Sequence, residues 1–121
     1  ILIPAARPDT LREDNVDPVQ ARLVLQRANI PATPAAEAAL HARGVINVPD
    51  FIANAGGVIC AAIELAGGSE SAAFEAIAER IRRNTTEVLA RSRDDGIVPR
   101  AAASALARER VREASELRRK A

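Results

Sequence analysis

Three apolar runs in this 121-residue chain each end in a small cluster of residues suited to binding. Ile1-Leu2-Ile3 leads into Pro4-Ala5-Ala6, Leu23-Val24-Leu25 is followed by Asn29-Ile30-Pro31, and Val45, Ile46 and Val48 lead through Pro49 to Asp50 and Asn54. Gly56 and Gly57 come next and open the apolar run from Val58 to Leu65. A glycine pair at a helix start offers bare amides and the positive end of a helix, which suits a carboxamide, a hydroxyl or a carboxylate. The competing explanation is structural: asparagines beside proline and glycine often cap turns, and paired glycines let a helix pack closely.

The elements that must carry these clusters follow from the pattern. Consecutive apolar residues at 1–3, and again in the centre of 21–28 and over 45–48, fit short strands buried on both faces, as in parallel sheets. Residues 7–17 form a polar connection with room for one helical turn. Thr33 and Pro34 read as helix cap and first helical position, with Ala36 and Leu40 on the buried side and Gly44 as terminator. Strand, connection, strand, helix, strand implies parallel pairing, because such crossovers need a helix or a long link.

The expected fold class is therefore α/β: half of a doubly wound, Rossmann-like parallel sheet of about three strands, followed by a helical segment. Residues 1–3 are expected at the centre of the parent sheet, with 23–25 and 45–48 successively outward. All three clusters then share the carboxyl edge of the sheet, where ligands bind in such folds. Beyond Gly67-Gly68-Ser69 the pattern turns helical. Phe74, Ile77, Ile81 and Val88 recur at threes and fours up to Asp95-Gly96, and Pro99 opens a last helix with Ala103, Ala107, Val111, Ala114 and Leu117 on one face.

Composition sets limits. The chain is 48% hydrophobic and 27% charged, but only 2% aromatic, so its core must be thin and built from Ala, Val, Ile and Leu. Seventeen basic against sixteen acidic residues give a formal charge of +1 and no electrostatic case for nucleic acid or membrane. The arginines at 108, 110, 112, 118 and 119 alternate with Glu109, Glu113 and Glu116, so a salt-bridged solvent face, with Arg112–Glu116 and Glu116–Lys120 four apart, is expected. A single cysteine, Cys60, and the lack of a signal-like segment make cytoplasmic the default. Cys60 reads as an inert thiol, and the lone His41 lacks partners at metal-ligand spacing. With no methionine and an opening inside a strand pattern, the chain reads as a fragment.

The run Pro49-Asp50-Phe51-Ile52-Ala53-Asn54-Ala55-Gly56-Gly57-Val58 resembles the C-terminal signature of the glutamate/leucine/phenylalanine/valine dehydrogenases. Ile1-Leu2-Ile3-Pro4-Ala5-Ala6, Ala28-Asn29-Ile30-Pro31-Ala32-Thr33-Pro34 and the helical tail agree with that family in order, so the likeness covers nearly the whole chain. It implies that residues 1–66 are the second, nicotinamide-side half of a dinucleotide-binding domain, with 67–121 as C-terminal helices. Cofactor contacts would come from Ala5, Ala6, Asn29, Asn54, Gly56 and Gly57, with NAD or NADP as cofactor and the asparagines on its ribose or carboxamide. Val58 and Ala61 would touch the substrate side chain.

The family's reaction is reversible oxidative deamination of an amino acid, with a lysine and an aspartate as acid and base. Here the only lysine is Lys120 in the tail, and there is no Gly-x-Gly-x-x-Gly phosphate turn. The resemblance therefore implies a piece that contacts cofactor and substrate, lacks catalytic residues, is inactive alone, and depends on the remainder of its parent chain in a homo-oligomer. Two departures stand out. Glutamate-specific members place a hydroxyl where Ala61 stands, which favours apolar substrates here, and the family commonly has glycine where Arg27 stands. A second reading keeps the fold as an interaction module without cofactor, which allows both asparagines to be buried caps. A basic nucleic-acid helix is the weakest reading.

Overall fold

The computed structural model describes residues 1–120. It contains strands β1 (Leu23–Leu25) and β2 (Ile46–Val48) and helices α1 (Pro34–Ala42), α2 (Asp50–Ala53), α3 (Gly56–Leu65), α4 (Glu70–Asp95) and α5 (Pro99–Lys120). β1 and β2 pair in parallel, with Val24 opposite Asn47 and Leu25 opposite Val48. The expected strand at 1–3 is reduced to a parallel bridge between Leu2 and Val24 on the other side of β1. The Leu2 amide donates to Leu23 O at 2.9 Å and Leu25 N donates to Leu2 O at 3.0 Å; further along, Arg27 N reaches Pro4 O at 3.2 Å. Proline has no N–H for the intervening ladder position, so the pairing is interrupted there. The order is as expected, each segment lying outward of the last, and every pairing is parallel.

Layers on both faces bury the sheet. On one face Val24 packs with Leu11, Val16, Ala32, Ala36, Leu40 and Val45, joined by Leu2. On the other, Val48 packs with Ile52, Val88, Ala102 and Ala103, joined by Leu23 and Leu25. These are small aliphatic cores, in keeping with the composition.

Local chemistry sets the helix ends. Thr33 caps α1 by accepting the Ala36 amide at 3.2 Å, with Pro34 in the first turn. Ser69 caps α4 through Ala72 N at 3.3 Å, and α4 ends where Gly96 takes a left-handed φ of 66°. Residues 7–17 form turns, without the helical turn allowed for them.

On the C-terminal helices, Phe74, Ile77 and Ile81 are the positions expected to pack on the rest of the fold, and Val111 and Leu117 those expected to project or pair with another copy. Ile77 and Ile81 are half-buried on the rest of the fold, but Phe74 is 64% exposed. Ala73, one position earlier, is the buried residue of that turn. On α5 only the first turns pack; beyond Leu106 the described residues are exposed, including Val111 and Leu117. The charges of α5 bind across to α4. Arg91 pairs with Glu109 at 2.8 Å, and Arg110 pairs with Glu87 and donates to Asn84 Oδ1 at 2.9 Å. Arg112–Glu116 is not among the ion pairs of the described residues, and the Lys120 side chain lies outside them. Arg91 pairs along its own helix as well, with Asp95 at 3.4 Å, whereas both partners of Arg110 lie across the seam.

Candidate functional site

Where the carboxyl ends of the paired segments meet the start of α3, a groove of about 590 Å³ opens. It is lined by Ala5, Ala6, Arg7, Pro8, Arg27, Ala28, Asn29, Asn54, Gly57 and Val58. Six of the eight residues singled out in the sequence thus share one surface. Gly56 sits beside it but faces α4, where a Cβ would lie 3.6 Å from Ile77 Cγ2. Its packing is against a helix, not the sheet. At Gly57 a Cβ would meet nothing within 4 Å. Val58 is 77% exposed, and Ala61, one turn along α3, is also exposed.

The two asparagines meet across the groove. Asn54 Nδ2 donates to Asn29 Oδ1 at 2.9 Å and more weakly to Arg27 O at 3.4 Å. Neither side chain caps a turn, since this bond spans 25 positions of sequence. Asn29 is exposed and Asn54 half-buried. Asn54 does close α2, but through its backbone amide, 2.7 Å from Asp50 O. Among the described residues, Asn29 Nδ2 and Asn54 Oδ1 have no protein partner. One spare donor and one spare acceptor at the wall of a groove made of small side chains suit a carboxamide or a sugar hydroxyl. The residues present therefore fit the nicotinamide end of a dinucleotide. No side chain caps the start of α3, whose N-cap residue is Ala55.

The scaffold behind the asparagines was not legible as a site. Asp50 Oδ2 accepts the Ile30 amide at 2.8 Å, and Asp50 Oδ1 lies 2.9 Å from Arg100 Nη2, an ion pair too poorly aligned to count as a hydrogen bond. Arg100, from the first turn of α5, also forks onto Glu37, with Nε 2.9 and 2.8 Å from its two carboxylate oxygens, and reaches Gln26 Oε1 at 2.9 Å. Gln26 Nε2 bridges Glu37 Oε1 at 2.6 Å and Asn47 Oδ1 at 3.0 Å. The guanidinium carbon lies 5.5 Å from the Phe51 ring centre. Gln26, Glu37, Asn47 and Asp50 are all buried. The signal available in the sequence was Asn47 inside an apolar strand and Glu37 between buried Ala36 and Leu40, since a buried polar residue requires partners.

Burial alone would raise the Asp50 carboxyl, but the Ile30 amide and the Arg100 guanidinium outweigh it and hold the group below the usual carboxylate range. Burial likewise works to lower Arg100, and Glu37 with Asp50 more than offsets it, so the guanidinium stays charged. Ile30 has a φ of 48°, an unfavourable left-handed conformation for a β-branched residue. Its amide bond to Asp50 and its carbonyl, which accepts Asp9 N at 3.0 Å, hold it there.

The other residues weighed in the sequence take no part. Cys60 is half-buried with Sγ 3.8 Å from Glu64 Oε1, and desolvation together with Glu64 raises its pKa, so the thiolate is disfavoured. His41 is half-buried, and the described residues contain no group of three or more potential metal ligands. No described helix is long and apolar enough to cross a membrane.

Comparison with known proteins accords with this geometry. The sequence model of the glutamate/leucine/phenylalanine/valine dehydrogenase family matches residues 1–119. The chain is 58% identical over 64 residues to an NADP(+)-dependent glutamate dehydrogenase of Pyrobaculum calidifontis, covering 53% of this chain and 15% of that protein. It is 39% identical over 115 residues to valine dehydrogenase of Streptomyces coelicolor, covering 94% of this chain and 31% of the relative. The chain therefore spans less than a third of the length of either. Its fold superposes on a hetero-hexameric glutamate dehydrogenase from Thermus thermophilus, in a leucine-bound form, with a TM-score of 0.80 and 34% identity over 97% of this chain and 30% of that one. L-tryptophan dehydrogenase from Nostoc punctiforme gives a TM-score of 0.84 at 23% identity, covering 94% and 35%, a likeness of fold. The chain belongs to the glutamate/leucine/phenylalanine/valine dehydrogenase family of amino-acid dehydrogenases.

Proposed function

We propose that this chain is a segment of an NAD- or NADP-dependent amino-acid dehydrogenase, with residues 1–66 lying against the nicotinamide nucleoside and residues 67–121 as its C-terminal helical part. The observation that carries the reading is the Asn29–Asn54 pair, hydrogen-bonded at 2.9 Å on a groove also lined by Ala5, Ala6, Gly57 and Val58. When bound, the nicotinamide supplies the acceptor for a hydride from the amino acid's α-carbon. Asn29 Nδ2 and Asn54 Oδ1 orient the carboxamide or ribose, Ala5 and Ala6 leave room for the ring, and Val58 with Ala61 faces the substrate side chain. Two apolar groups without a hydroxyl favour an apolar amino acid.

The segment supplies neither acid nor base. No His, Lys, Asp or Glu lines the groove. Asp50 is held ionised by Ile30 and Arg100, which suits a structural anchor better than a proton carrier. The pyrophosphate cradle and the catalytic lysine and aspartate belong to the remainder of the parent chain, so the isolated segment is inactive. The setting is a cytoplasmic homo-oligomer. The interaction-module alternative, which allows the asparagines to be buried caps, gains no support from them, since Asn29 is exposed and Asn54 half-buried.

The test is titration of the isotope-labelled chain with nicotinamide riboside, followed by NMR of the side-chain amides. The reading expects Asn29 and Asn54 to shift together and Asn54→Ala to abolish the response. Absence of any shift at both asparagines at saturating ligand contradicts it.

A further inference from the structure

We propose that Arg100 is a positioning residue for the nicotinamide site: from the first turn of α5 it couples the seating of that helix to the geometry of Asn29 and Asn54. This role rests on the reading of the groove as a nucleoside site and deepens it. Arg100 does not line the groove. Its side chain instead holds the two segments that carry the asparagines.

One segment is the exit from β1. Arg100 Nη2 reaches Gln26 Oε1 at 2.9 Å, and Gln26 stands three residues before Asn29. The carbonyl of the next residue, Arg27, accepts from Asn54 Nδ2 at 3.4 Å. The other segment is α2. Arg100 Nη2 lies 2.9 Å from Asp50 Oδ1, and the guanidinium carbon lies 5.5 Å from the ring centre of Phe51. Asp50 then bonds beside both asparagines. Its Oδ2 accepts the amide of Ile30, next after Asn29, at 2.8 Å, and its carbonyl accepts the amide of Asn54 at 2.7 Å. Two short bonded paths therefore run from one guanidinium to the Asn29–Asn54 hydrogen bond of 2.9 Å.

The fork onto Glu37, at 2.9 and 2.8 Å, fixes the plane of the guanidinium. The loose joint is Asp50 Oδ1, a buried oxygen whose contact with Arg100 is close but misaligned for a hydrogen bond. The strength of such a contact changes with small rotations of the carboxylate, so a ligand held by the asparagines and the helix that carries Arg100 act on the same group. Coupling of this kind is reciprocal: whatever Arg100 does to ligand affinity, the ligand does to Arg100. A residue that only stabilises the fold has no such response.

The experiment follows the side-chain amides of Asn29 and Asn54 and the Arg100 Nε–H by NMR in the labelled chain, first without ligand and then during titration with nicotinamide riboside. Arg100→Lys and Asp50→Asn are compared with Leu40→Val, a change in the buried core outside this network. Lysine keeps the charge but not the fork, and asparagine keeps an oxygen for Ile30 but not the charge facing Arg100. The Arg100 response in the unaltered chain needs no variant at all. The expected result is that riboside shifts the Arg100 Nε–H without touching it. Both network variants should move the Asn54 amide signals before ligand is added and weaken riboside about five- to tenfold in the folded chain, whereas Leu40→Val does neither.

Unchanged Asn54 signals in the ligand-free network variants overturn the proposal, and riboside shifts at both asparagines then leave the nucleoside reading standing. An Arg100 signal that stays fixed while riboside shifts both asparagines overturns it too, as does an equal loss of affinity in Leu40→Val. If riboside moves neither asparagine while the network variants still displace the Asn54 signals of the free chain, the link from Arg100 to the pair stands and the nucleoside reading fails.

Discussion

Asp50 holds the amide of Ile30 at 2.8 Å across 20 positions of sequence, and Ile30, with its left-handed backbone, directly follows Asn29. A carboxylate at the end of one strand thus fixes the loop after its neighbour. Asp50→Ala should cost about 1–3 kcal/mol, as an unsatisfied buried amide does, and should speed hydrogen exchange at Ile30 before other loop amides. Urea unfolding and exchange rates measure the two effects.

Arg100 joins α5 to α1 through Glu37 and to the start of α2 through Asp50, and Glu37 keeps only 4% of its side-chain surface exposed. Arg100→Met leaves two carboxylates without their cation and should destabilise by about 3–5 kcal/mol. Arg100→Lys should recover little, because an ammonium cannot fork onto Glu37 while reaching Gln26 and Asp50. Glu37→Gln combined with Arg100→Met should be less harmful than the sum of the single changes, which a double-mutant cycle in urea reads directly.

Acid should reveal the same anchor. The folded Asp50 has a depressed pKa, so the unfolded chain takes up a proton there first, at about 3.9. Its contribution is complete above that value and fades as pH falls through the folded value. Asp14 and Glu109 are lowered in the same sense, chiefly by hydrogen bonds from Arg12 and Arg91, but both pairs are exposed. Urea midpoints between pH 3 and 6 should therefore fall less steeply for Asp50→Asn than for the unaltered chain. Parallel curves would contradict the assignment.

The outer edge of the segment at 1–3 has no partner strand among the described residues, and Ile1 and Ile3 are 82% and 54% exposed. An uncovered apolar edge invites pairing with another chain. Sedimentation velocity should show concentration-dependent association that Ile3→Lys weakens. A strictly monomeric chain at high concentration would count against it.

Specificity should respond at α3. If Ala61 faces the substrate side chain as proposed, Ala61→Ser in the proposed parent dehydrogenase should shift relative kcat/KM toward glutamate and away from valine by roughly 1.5–3 kcal/mol. Steady-state rates with the two amino acids measure it.

Local rules carried much of the fold into the sequence. Thr33-Pro34 announced α1, Gly96 ended α4, and the β-branched runs marked the parallel segments. What stayed hidden depended on distant partners. Phe74 has the right period for a core helix, yet it is 64% exposed and Ala73 is the buried residue of its turn. Arg100 looked like any helix-start arginine, because its partners Glu37 and Asp50 lie 63 and 50 positions away. Asn29 and Asn54 were legible as candidates through their places after apolar runs, but their mutual hydrogen bond was not. Asp50 looked like a crevice residue and proved to be the peg behind it.

The most direct measurement is steady-state reduction of NAD and NADP by the proposed parent dehydrogenase, with glutamate, leucine, valine and phenylalanine, before and after Asn54→Ala. The account predicts a loss equivalent to roughly 1–3 kcal/mol in cofactor kcat/KM, as removal of a buried polar contact gives. If every kinetic constant is unchanged, Asn54 does not serve the nicotinamide, and the assignment of this groove is wrong.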